Sequence, residues 1–367
     1  MAVVKRRSEA IWIEARNRWQ INVQREGERK TFISSTPGRK GKHEAEAKAD
    51  KWLERYTTEQ KLSTALEMFL EEKQKTVAYS TYMQVKSKVS KIQRFFQPLK
   101  RLSALTLTDW QAFLDTCADN GESATTLKGQ KGFIHEFVVF CKRKRWEIEA
   151  FDAEELIVSK NAKPKKEKEA YGVDEIKILL SEELEKEWWI NAFRFMLFTG
   201  FRKNEVCALK WQDIDFDKKI ISVWRGVDQY GNETSGKTEN VIRTVAMSRA
   251  TEEVLTSQKE KLDARKLKSE YVFPAISGRR INYSTVSNYF EKIKSCGIQH
   301  TMHELRHTFI SLTDKDLPLA LLKKSVGHSA AMDTQKHYSH TTDADLVAMR
   351  KGMDSAFDQL NELLQEN

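Results

Sequence analysis

Cysteine is scarce in this chain. Four occur in 367 residues, Cys117, Cys141, Cys207 and Cys296. None is paired at metal-binding spacing and no disulfide framework is visible, so a reducing cytosol is the simplest setting. Long apolar runs are missing too. Nothing approaches the roughly 18 residues that a membrane span needs, and no apolar core follows the basic N-terminal residues as it would in a signal peptide. No long-period repeat is apparent. These absences set aside membrane-spanning, disulfide-scaffold and repeat architectures.

What is present is positive charge. Lys and Arg number 62 against 53 Asp and Glu, a net charge of +9, and a surplus of this size points to a polyanion, nucleic acid being the usual one. The length allows two or three domains, each with a real core. Residues 1–43 hold eleven Lys/Arg against four acids, a net of +7. They also alternate with period two through Ile11-Trp12-Ile13, Trp19 to Val23 and Lys30 to Ile33, which predicts a three-stranded sheet. An Ala/Glu/Lys-rich stretch from Lys42 to Tyr56 predicts a helix covering one face of it. The other face would be free to carry Arg16, Arg18, Arg25, Arg29 and Lys30 to DNA.

Residues 58–150 read as all helical, with Leu62, Leu66, Phe69 and Leu70, then Val85, Val89, Ile92 and Phe96, then Phe133, Phe137 and Phe140 at helical spacing. Between Lys73 and Thr108 stand eight Lys/Arg and no acid. A solvated face normally mixes signs, so this predicts a DNA-facing helix carrying Lys86, Lys88, Lys91 and Arg94. Residues 151–170 read as a basic linker, because the run Lys160–Lys168 is charged, holds one proline and has almost no apolar residue. Residues 171–350 mix helix and strand. Val173–Leu184 and Trp188–Phe198 read as helices, and Ile220–Trp224 and Arg243–Ala246 as strands around a turn at Gly231–Gly236. Met353, Phe357, Leu360 and Leu364 lie on one face of a last helix, within a terminal segment 351–367.

The chemistry concentrates late. Six of the eight histidines fall between positions 300 and 340. His303-Glu304-Leu305-Arg306-His307 fits H-E-x-x-H, the zinc helix of a metalloprotease, with Glu304 as base and His328 as a possible third ligand. It also fits a cluster of donors for a charged phosphate oxygen. The zinc reading leaves Arg202, Lys237 and Tyr338 without a role and sets Arg306 beside a dication. A DNA-binding regulator without catalysis would explain the charge but leave the whole constellation accidental. Arg202 follows a glycine break at an element end, where its fork can reach a ligand and Glu205 can hold it. Taken singly, Lys237 at a hairpin tip, His328 or Tyr338 would be ordinary surface or structural residues.

Five strings occur in order: T-G-F-R-K-N-E-V from Thr199, G-K-T-E-N-V-I-R-T-V from Gly236, H-E-L-R-H-T-F from His303, V-G-H from Val326 and H-Y-S-H from His337. Together they resemble the tyrosine recombinases, the phage integrase family. The resemblance is strong over 171–350, with Val326 where leucine is frequent. It implies a small sheet-plus-helix domain for arm-type DNA sites (1–57), an all-α core-site-binding domain (58–150) and a mainly helical α+β catalytic domain (171–350). It implies Arg202, Lys237, His303, Arg306 and His328 as catalytic groups, Glu205 and His307 as support, and Tyr338 as the nucleophile of a 3′-phosphotyrosine intermediate. The chemistry would be like that of type IB topoisomerases, with no metal and no cofactor. Expected partners are core-type and arm-type double-stranded DNA, a tetramer of the chain itself, an excision or directionality factor, and a host DNA-bending protein; the C-terminal helix (351–367) would serve subunit exchange by docking into a neighbouring subunit, the alternative being packing against its own catalytic domain. The setting would be the cytoplasm of a prokaryotic host, on the nucleoid when DNA is bound.

Overall fold

The computed structural model describes residues 8–25, 28–58, 60–96, 100–164, 167–235, 242–327 and 341–366. The chain divides into two compact units, residues 1–166 and 167–367.

In the first unit, β1 (Ile11–Ile13), β2 (Arg18–Arg25) and β3 (Glu28–Ser34) form an antiparallel sheet in that order, against which α1 (Gly38–Thr58) lies. The apolar alternation of β2 explains the seating. Ile21 and Val23 are buried and join Ala45, Ala49, Trp52 and Leu53 of α1 in one small core. Register then decides which cations share a face. Arg18 lies opposite Ile13 and Gln24 opposite Arg29, which puts Arg18 and Arg29 on the face away from α1. Lys30 pairs with Val23, so it belongs to the helix-covered face, contrary to its expected place. Partners directly opposite in a sheet share a face, and a one-residue offset reverses it. Arg16 is exposed in the short turn of helix after β1, and Arg25 ends β2.

The helical part of this unit contains α2 (Leu62–Thr76), α3 (Tyr79–Phe95), α4 (Leu107–Asp119) and α5 (Ala124–Arg143). Thr106 and Asp109 cap the start of α4 reciprocally, and the Ser123 hydroxyl accepts from the Thr126 amide at the start of α5; such caps satisfy amides that a helix cannot. Phe69 packs edge-on against Phe133, Phe137 and Phe140, and Val85, Val89 and Ile92 close the same core. A side chain of this size contributes about 1.5–3 kcal/mol when fully buried. The expected linker starts later than residue 151. Phe151 and Leu156 are buried in this helical core, and Gln111 pins Ile157 by hydrogen bonds in both directions. The basic run hid these two apolar anchors.

The second unit opens with α6 (Val173–Leu180), α7 (Ile190–Thr199) and the single turn α8 (Lys203–Val206). The helix expected over 173–184 stops at Leu180 and resumes as a 3-10 turn at Glu182–Leu184. Strands β4 (Ile214–Asp215), β5 (Ile220–Val223) and β8 (Arg243–Ala246) form one sheet, and β6 (Arg225–Val227) and β7 (Glu233–Ser235) a hairpin. Then come α9 (Arg249–Ala264), α10 (Tyr283–Lys294), α11 (Glu304–Thr313), α12 (Leu319–Val326) and α13 (Asp343–Glu366). α7 is the centre of this unit: every residue from Ile190 to Thr199 except Arg194 is buried, as expected of a helix apolar all round.

α13 is longer than expected. It begins at Asp343, ten residues before Met353, and runs unbroken through the boundary placed at 350. Its apolar face is docked in its own unit. Met349, Met353, Phe357 and Leu360 are buried in the same core as α7, and Phe357 packs edge-on against Phe198 with ring centres 4.9 Å apart. In the single chain, the segment expected to serve subunit exchange packs on the core of its own unit.

Candidate active site

α7 ends at Gly200, whose φ of 65° lies in the left-handed region. A Cβ there would sit 2.6 Å from the Phe309 ring, so this turn requires glycine. The chain reverses and places Arg202 at the start of α8. The Arg202 amide donates to Glu205 Oε2 at 2.9 Å and its guanidinium to Glu205 Oε1 at 3.0 Å. The second guanidinium nitrogen donates to the Gly327 carbonyl at 3.1 Å.

Arg306, on the first turn of α11, is buried beside it. It donates to the Gly200 carbonyl at 2.8 Å and also to the Val326 carbonyl. Burial lowers its pKa, and the Arg202 charge adds to the effect; a guanidinium nevertheless stays charged at neutral pH. A third arginine completes the group. Arg243 at the start of β8 forks onto Glu205, with 2.9 Å to each oxygen, and donates to the Ser325 carbonyl at 2.8 Å. Three successive carbonyls at the C-terminal end of α12, those of Ser325, Val326 and Gly327, thus accept from three different arginines. Helix ends leave their last carbonyls without partners and carry partial negative charge, which suits cations. Burial alone would raise the Glu205 pKa; the hydrogen bonds and charge of Arg243, then those of Arg202, bring it below the usual carboxylate value.

His303 stands just before α11, its ring centre 5.3 Å from that of His307. Partial burial, then the charges of Lys168, His307 and the two arginines, pulls its pKa down to about 4. Its imidazole is therefore neutral near pH 7. Burial likewise lowers the His307 pKa, and its Nε2 is buried with no hydrogen-bond partner among the described residues. Leu305 points into the core, as expected. Arg202, Arg306 and His303 line one cavity of about 410 Å³ together with Lys203, Tyr283 and Ser287. Lys203 donates to Ser287 Oγ at 2.9 Å and lies 3.3 Å from the centre of the Tyr283 ring. The arrangement can hold an anion between two fixed guanidinium forks with a neutral imidazole at its edge. Lys237, His328 and Tyr338 lie outside the described residues.

Glu304 does not face this cavity as a base would. Its carboxylate accepts the Thr301 amide at 2.6 Å, a local cap that also lowers its pKa against the effect of burial. Among the described residues no three His, Cys, Asp or Glu side chains are gathered to hold a metal.

Sequence reasoning missed Arg243 as a site residue, although it stands inside one of the five strings. The signal was available: on β8 it shares a face with Val245, which is buried, and an arginine on an inward face needs a buried acid. Of the cations expected to face DNA from α3, Lys86 and Arg94 are exposed. Lys88 instead donates to the Gly129 carbonyl at 2.8 Å, and burial lowers its pKa. Lys91 pairs with Glu122 at 2.6 Å. Lys73 pairs with Glu136, and Lys100 with Asp109 at 2.8 Å. The acids missing from 73–108 come from α4, α5 and the turn between them.

The profile of the phage integrase family matches residues 153–345. A XerC-like tyrosine recombinase of Caldanaerobacter subterraneus is 25% identical over 290 residues, covering 72% of this chain and 72% of its own. The prophage integrase IntR of Escherichia coli is 29% identical over 185 residues, covering 42% of this chain and 44% of its own. Among solved structures, a lambda integrase tetramer bound to a Holliday junction superposes with a TM-score of 0.61 at 18% identity, covering 89% of this chain and 97% of the other. The Tn1549 transposon integrase in complex with transposon right-end DNA does so with a TM-score of 0.62 at 16% identity, covering 83% and 99%. The structural likeness is one of fold: mainly helical, multidomain, with small sheets. No described helix is long and apolar enough to cross a membrane.

Proposed function

Since the chain belongs to the phage integrase family and is a tyrosine-type site-specific recombinase, we propose that it integrates or excises a mobile element through a 3′-phosphotyrosine intermediate. The observation that carries this reading is the meeting of Arg202 and Arg306, distant in sequence, at one cavity beside His303. A phosphodiester under attack gathers negative charge on its non-bridging oxygens, and preorganised forks are worth most there. Tyr338 is the nucleophile. Its phenolic oxygen bonds to phosphorus, the bond from phosphorus to the 5′-oxygen breaks, and the phenol proton passes to His303 or His328. Lys237 protonates the departing 5′-oxygen. A 5′-hydroxyl from the partner strand then attacks the phosphotyrosine and restores a phosphodiester. The ester energy is kept throughout, so the cycle needs neither ATP nor metal.

The sheet domain, with Arg18 and Arg29 on its open face, belongs to arm-type sites in this reading, and Lys86 and Arg94 to the core-type site. A synaptic tetramer, a directionality factor and a DNA-bending protein belong to the same proposal. A zinc protease is disfavoured because Glu304, its required base, is engaged with the Thr301 amide. The deciding experiment is covalent trapping on a nicked suicide substrate. Tyr338→Phe removes the attacking oxygen and little volume, so no adduct should form while DNA binding stays near that of the parent. Adduct formed by Tyr338→Phe would assign the nucleophile elsewhere.

A further inference from the structure

Arg243 does not line the cavity. It is 9% exposed, its guanidinium lies 5.1 Å from the centre of the Phe201 ring, and its nitrogens serve the neighbours of the site. Two of them fork onto Glu205 and the third reaches the Ser325 carbonyl. Glu205 in turn holds Arg202 through the Arg202 amide and guanidinium. The last torsion of a glutamate is broad, so a carboxylate with one partner rotates. A planar fork on both oxygens removes that freedom and fixes where Oε1 can receive Arg202. The bond to Ser325 anchors the same guanidinium to the end of α12, where the next two carbonyls hold Arg306 and Arg202.

We propose that Arg243 is a positioning residue for strand cleavage: by locking Glu205 and the end of α12, it sets the guanidinium of Arg202 for the scissile phosphate. This rests on the reading of Arg202 as a phosphate ligand. The test is single-turnover cleavage of a nicked suicide substrate at saturating protein, in four full-length chains: parent, Arg243→Lys, Arg202→Lys and the double variant. Lysine keeps the charge but has no fork. Arg243→Lys should slow cleavage by on the order of tenfold to a hundredfold, the scale on which small misplacements act, with substrate affinity within about threefold of the parent. In the Arg202→Lys background the same change should cost little more, because the group it positions is already gone. Equal losses in the two backgrounds would overturn the proposal, and that is also what a fold defect alone would give. Parental cleavage by Arg243→Lys would overturn it while leaving the reading of Arg202 intact. Parental cleavage by Arg202→Lys would overturn that reading and the proposal with it.

Discussion

In the helical part of the first unit Lys73, Lys91 and Lys100 each meet a carboxylate, on Glu136, Glu122 and Asp109. In the second unit Arg202 and Arg243 share one carboxylate, Glu205, and otherwise end on backbone carbonyls, as Arg306 does with both of its bonds. A carboxylate cancels a cation, whereas a carbonyl orients it and leaves its charge in place. The first arrangement consumes positive charge that the sequence advertises. The second concentrates it beside one cavity, and the end of α12 makes that concentration tolerable.

The comparison can be broken most severely at its one shared acid. Glu205→Gln keeps the shape but removes the carboxylate that bridges Arg202 and the buried Arg243. Leaving buried charges without their partner costs about 3–5 kcal/mol, so urea unfolding should show a midpoint well below that of the parent. An unchanged midpoint would mean that the carbonyls alone suffice. Next in size is Arg306→Ala, where the loss should appear in chemistry. Cleavage should slow on the order of a hundredfold to a thousandfold, as for other preorganised donors, and Arg306→Lys should recover little of it because a point charge lacks the fork. Cleavage by Arg306→Ala at the parental rate would remove it from the site. Smallest is Lys91→Ala. Its partner Glu122 and its own side chain are both partly exposed, so thermal unfolding should register about 0–1 kcal/mol. A loss of several kcal/mol would show that the helical region also relies on its cations for stability.

The amphipathic helices of the first unit and the strands Ile220–Val223 and Arg243–Ala246 were legible because their cores follow simple periods. The strings around Arg202 and His303 were legible because their order is specific. What the sequence hid was partnership. That Lys91 faces Glu122, or Arg243 faces Glu205, depends on elements brought together by the fold, and no local window contains both members. The alternation of β2 and β3 was visible, but the register that assigns Lys30 to the covered face was not. The docking of α13 was a question of which surface its stripe meets, and amphipathicity is silent on that.

Seating has a kinetic meaning for α13. Met349, Met353, Phe357 and Leu360 are anchored in one core, and a Cβ at Gly352 would come within 2.5 Å of the Asp316 carbonyl, so the helix and the loop after α11 touch backbone to backbone. Pulling four such side chains into water costs on the order of 6–12 kcal/mol. Detachment of this helix would therefore run at the rate of partial unfolding, far slower than the encounter of molecules on DNA. The same four side chains could leave their own core cheaply only if another apolar surface covered them in the same step, so what holds α13 is the absence of a better cover as much as the contacts it makes.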